Sequence, residues 1–121
     1  MSDSALPWLD TRHLAEALET DAPEILRDFY SLFHQQLQDM QTQLDAWQKP
    51  LDIAELRLLA HKLKSSSRTV GALALGEQLE TLEHACVQGA VDSVEAALEA
   101  TRLAGARTDL AVQAWLDTHH A

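Results

Sequence analysis

Cysteine is almost absent from this chain. Cys86 stands alone among 121 residues, so no internal disulfide can staple the fold, and a reducing compartment is the default expectation. Glycine and proline are sparse, four and three residues, with no linker, low-complexity tract or internal repeat, which suits one continuously structured domain over 1–121. No apolar run is long enough to span a membrane. The opening MSDSALPWLD has neither a basic head nor an apolar stretch and does not read as a signal peptide. Basic residues are outnumbered, nine Lys and Arg against 19 Asp and Glu, for a formal net charge of −10. That balance favours solubility and argues against nucleic acid or an anionic membrane as the main partner. Also missing are the alternating apolar pattern of strands, a GxxxxGK(S/T) nucleotide loop, an HExxH pair and a carboxylate cluster suited to a metal. A cytoplasmic protein without cofactor or metal of its own is the expectation.

What is present is helical periodicity. A short helix is predicted over Thr11 to Leu18, after which Thr20, Asp21 and Pro23 mark a new start, proline being tolerated in a first turn. Leu26, Phe29, Phe33, Leu37, Met40, Leu44 and Trp47 then recur in steps of three or four, a narrow buried seam ended by Lys49-Pro50. Gln35, Gln36, Gln38, Gln41 and Gln43 read as its solvated side. Asp52 with Glu55 opens the next helix in a capping-box-like pattern, over about 52–70. Its inward stripe is Leu56, Leu59, Ala60, Leu63, Ser67 and Val70, and Gly71 suits its stop. Another helix follows from about Ala74 to Gln88 with Leu75, Leu79, Leu82 and Cys86 inward, Cys86 as core filling. Gly89 closes it, and Asp92 with Glu95 caps a last helix running to about Asp117. The fold expected is all-α: an antiparallel up-down-up-down four-helix bundle with a short extra N-terminal helix. Trp8, Trp47 and Trp115 are expected to pack at the bundle ends.

The chemistry concentrates between Arg57 and Arg68. Four of the nine basic residues lie there, with no acidic residue between them. At 100° per residue, His61 falls roughly 150° from the centre of the buried stripe, on a face shared with Arg57, Leu58, Lys64, Ser65 and Arg68. Neutral imidazole is a good nucleophile near pH 7, its unperturbed pKa being about 6.5. A phosphoryl group arriving on the ring brings about two negative charges, which Lys64 one turn on can offset. Ser65 is small enough to admit a partner's backbone and can donate to phosphate. Arg57 and Arg68 are candidates for docking, and Leu58 is an apolar contact where a polar residue is the norm. His13, His34 and His84 lack ligand partners at convincing spacing, and His119-His120 read as a frayed tail.

The stretch AHKLKSSS, followed by Gly71-Ala72, Leu75 and Leu82-Glu83, resembles the signature of histidine-containing phosphotransfer (Hpt) domains of two-component phosphorelays. The resemblance implies that His61 is the phospho-acceptor and Lys64 the cation beside the phosphate. It also implies that Glu83, standing where the family places Gln or Glu, orients the imidazole from the neighbouring helix. Ser65 departs from the glycine most common at its position. The implied protein is a relay, not a kinase. Its partners would be response-regulator receiver domains, which bring Mg²⁺, and a hybrid sensor histidine kinase, and it would act as a monomer. An adaptor that binds such partners without being phosphorylated is the alternative, although it would need neither His61 nor Lys64.

Overall fold

A computed structural model describes residues 7–46 and 52–119. Every regular element among them is an α-helix: α1 (Thr11–Leu18), α2 (Pro23–Ala46), α3 (Ile53–Val70), α4 (Leu73–Gln88) and α5 (Val91–Thr118). Contacts join α2 to α3, α3 to α4, α4 to α5 and α5 back to α2, while α1 lies against α3. None of these helices is long and apolar enough to cross a membrane. Trp47, Lys49-Pro50 and His120 lie outside the described residues.

The helix ends follow local chemistry. Asp10 caps α1, its carboxylate accepting from the Arg12 and His13 amides, and Asp52 caps α3 through the Glu55 amide at 3.1 Å. Gly71 and Gly89 end α3 and α4 in the left-handed region, at φ of 90° and 78°. α4 starts one residue earlier than expected, at Leu73. Asp92 is not the cap of α5: Ala90 is, without a side-chain bond, because Gly89 leaves only one residue before the helix resumes. Asp92 instead sits in the first turn, where its charge complements the helix dipole.

The core runs along the centre of the four longer helices, through Phe33, Leu37, Met40, Leu56, Ala60, Leu75, Leu79, Leu82, Val94 and Val112. Cys86 is buried within it, and burial pushes its thiol pKa up. Leu59 only borders this core. The seam of α2 differs from expectation at one step. Phe29 is 38% exposed, and Tyr30 is fully buried in its place. Steps of four then three (26, 30, 33) and of three then four (26, 29, 33) fit the same heptad. What selects Tyr30 is its hydroxyl, which donates to the Val70 carbonyl at 3.0 Å, one of the α3 terminal carbonyls without a helical partner. Burial, with the Asp10 charge adding to it, raises the phenol pKa.

Trp8 and Trp115 pack at the core margin as expected. Trp115 meets Tyr30 edge-on at 4.8 Å and stacks on His119 at 4.1 Å, so His119 is held rather than frayed. Among the glutamines of α2, Gln41 is half-buried and donates to the Arg102 carbonyl of α5 at 3.0 Å. His34 likewise pairs with Asp109 of α5 at 2.5 Å.

Candidate functional site

The site is built where α3 and α4 lie side by side. His61 projects from α3 away from the core, with its side chain 66% exposed. Glu83 reaches across from α4, and its two carboxylate oxygens are divided between two partners: Oε2 lies 2.9 Å from His61 Nδ1, and Oε1 accepts from Lys64 Nζ at 2.7 Å. The hydrogen bond from Lys64, and behind it that of His61, hold the Glu83 carboxyl below its ordinary pKa against an opposing desolvation. An ionised carboxylate only accepts, so the 2.9 Å contact requires the hydrogen on Nδ1. In the neutral ring Nε2 then carries the free lone pair, on a side chain that is mostly exposed.

Lys64, about 60° round α3 from His61 on the α4 flank, does not stand free in solvent: its side chain is only 19% exposed and is turned onto Glu83. Ser65 is exposed, and its carbonyl accepts from the Thr69 hydroxyl. Nothing bulky is therefore added on that side of His61.

The three docking candidates do not form one patch. Arg57 and Arg68 fall on the α4 flank of His61 and Leu58 on the opposite flank, by the 100° step of the helix. Arg68 is engaged in an ion pair with Glu80 of α4. Its stem passes over Gly76, where a Cβ would come within 2.9 Å of Arg68 Cγ. Leu58 is 61% exposed. A separate apolar strip, not expected from the sequence, is formed by Ile25, Phe29 and Leu32 of α2, all exposed; the bond from Tyr30 to Val70 sets it level with the C-terminal end of α3, whereas Leu58 stands near the N-terminal end. These three fall on the flank of α2 opposite to His34 and Gln41, which bind α5, and so face the α3 side. The signal was available as a second apolar spacing of four and three. It was obscured because Phe29 also fits the core seam.

His13 and His84 line a shallow groove with Arg68, Leu73, Glu77, Glu80 and Thr81. Among the described residues no group of three or more His, Cys, Asp or Glu side chains is arranged to hold a metal ion.

Neither a curated protein nor a solved structure matches the chain. The Hpt domain family matches residues 24–118, from the first turn of α2 to the end of α5 and with the whole His61–Lys64–Glu83 group inside. Hpt domains are phosphotransfer modules of two-component phosphorelays, working with receiver and kinase domains and not kinases themselves. With most of its length matched, the chain belongs to the Hpt domain family.

Proposed function

We propose that this protein relays a phosphoryl group between aspartates of receiver domains, with His61 as the acceptor and donor. The observation that carries this reading is the Glu83–His61 hydrogen bond, which fixes the ring tautomer and leaves Nε2 exposed and nucleophilic. In the forward step the Nε2 lone pair attacks the phosphorus of an aspartyl phosphate in line. The N–P bond forms as the acyl P–O bond breaks, and the aspartate carboxylate leaves with the electron pair. The ring keeps its Nδ1 hydrogen and becomes cationic, so no base is required, and the Glu83 carboxylate offsets the new charge. Onward transfer is the same step reversed, to an aspartate of the next receiver. Catalysis on this side is positioning and charge neutralisation.

In this reading Mg²⁺ and the acidic pocket belong to the receiver, and this chain uses no cofactor of its own. Ile25, Phe29 and Leu32 of α2 form one apolar part of the docking face and Leu58, on the other side of the His61 level, a second, and Ser65 lets the partner approach beside His61. A hybrid sensor kinase is the upstream source, α2 to α5 run up-down-up-down, and the protein is a cytoplasmic monomer. An adaptor role would leave the orienting pair of Glu83 and His61 without a purpose.

The test is incubation with a phosphorylated receiver domain. Wild type is expected to take up acid-labile, base-stable label, and His61→Gln to take up none. A wild-type protein that stays unlabelled ends the relay reading.

A further inference from the structure

Glu83 uses one oxygen for His61 and the other for Lys64, at 2.9 and 2.7 Å. Both Lys64 and Glu83 are largely covered, at 19% and 16% side-chain exposure, whereas His61 is open at 66%. Of the two cations one turn from the acceptor ring on its own helix, Arg57 and Lys64, Lys64 is therefore already bound before any phosphate arrives. Once Nε2 carries a phosphoryl group, its two negative charges stand near the Glu83 carboxylate, on the same small group of side chains. Like charges at that separation disfavour each other, and a flexible ammonium with three donors can serve either.

We propose, resting on the phosphotransfer reading above, that Lys64 is a shared cation: it is held by Glu83 Oε1 while His61 is free and is handed to the phosphoryl oxygens when His61 is phosphorylated. The Lys64–Glu83 bond is then broken on loading and remade on unloading. Its strength subtracts from the stability of the phosphorylated form and favours onward transfer. Glu83 thus acts in two opposed ways, supporting the cationic ring through Nδ1–H while competing with the phosphate for Lys64.

A static arrangement, with Lys64 bound to Glu83 in both states, is told apart by a crystal structure of the wild type loaded from phosphoimidazole: handover puts Lys64 Nζ on a phosphoryl oxygen and off Glu83 Oε1, and the static arrangement leaves it on Glu83. A double-mutant cycle then measures the competition. The cycle uses phosphoimidazole as a small donor, so that no receiver is needed. One N–P bond breaks, one forms on Nε2, and imidazole leaves. The exchange constant is read for wild type, Lys64→Ala, Glu83→Gln and the double variant, with helix content by circular dichroism checked for each. Lys64→Gln replaces Lys64→Ala if the latter loses helicity.

In wild type the lysine substitution removes a partner from both states, and the two losses largely offset. In the Glu83→Gln background it removes only the phosphate contact. Handover therefore predicts that the lysine substitution lowers the exchange constant by about threefold more in the Glu83→Gln background than in wild type. Lys64 Nζ still on Glu83 in the phosphorylated wild type, or an equal or smaller drop in the Glu83→Gln background, overturns the handover and leaves the relay standing. Absence of phosphate on wild-type His61 from this donor and from the receiver overturns both.

Discussion

Glu83 joins the two helices that make the site through its contacts with His61 and Lys64. Its carboxyl lies below the ordinary value of 4.5, held there first by Lys64 and then by His61. A carboxyl with a lowered folded pKa contributes stability that is present above 4.5 and is lost as pH falls through the folded value. A carboxyl-detected NMR titration is expected to show Glu83 protonating below the ordinary range, and Lys64→Ala is expected to move its midpoint upward. An unmoved midpoint would mean that Lys64 is not the dominant partner. A second residue departs from its surroundings without helping the site. Ser67 is fully buried, and its hydroxyl finds no hydrogen-bond partner among the described residues. Replacing an unpartnered buried hydroxyl by a methyl group removes a desolvation cost, so Ser67→Ala should stabilise the protein by up to about 1 kcal/mol. Urea denaturation measures this, and a loss of stability would point to a partner for the hydroxyl.

At the scale of elements, the end of α3 is where most contacts converge. The Gly71 and Ala72 amides turn back onto the Arg68 and Ser67 carbonyls, Tyr30 takes the Val70 carbonyl, and the Asp10 amide takes that of Gly71 at 2.8 Å. Gly71 sits at φ 90°, and a Cβ there would lie 2.0 Å from the Asp10 carbonyl oxygen. Gly71→Ala thus combines left-handed strain with a clash against backbone that cannot swing away. A loss of about 2 kcal/mol or more is expected by urea denaturation, with the segment before α1 released from the α3–α4 turn. A loss under about 0.5 kcal/mol would show that this segment is not held at Gly71. Only half of this was legible in the sequence. Glycine as a helix stop is a local signal, readable from position alone. The strand of backbone from Pro7 to Asp10 lying against it is a contact between residues about sixty apart, and nothing in the periodicity encodes it. The seam of α2 failed for a related reason: Phe29 and Tyr30 fit the heptad equally, and the tie was broken by a carbonyl at the far end of α3.

Over the whole molecule, chemistry that sits within one helix or across one short turn was readable, and surface built from separate helices was not. His61 opposite the core and Lys64 one turn on follow from spacing within α3, and Glu83 across the Gly71 turn came from the resemblance to Hpt domains. The path of the Lys64 side chain and the exposure of Ile25, Phe29 and Leu32 on one flank of α2 depend on which helices are neighbours. That flank bears on how a partner is held in the proposed docking. In that docking, a protein with a formal net charge of −10 meets an acidic receiver pocket at an electrostatic disadvantage, which the basic run of α3 beside His61 relieves. Apolar contact from Phe29, Leu32 and Leu58 offsets that disadvantage in the proposed docking. Leu32, at 66% exposure, can be changed without disturbing the core. Leu32→Glu is expected to raise the half-saturating concentration of phosphorylated receiver by about tenfold, while labelling by phosphoimidazole, which needs no docking face, stays at the wild-type rate. An equal loss with both donors would trace the effect to a damaged α2, and no loss with the receiver would move the docking face off this helix.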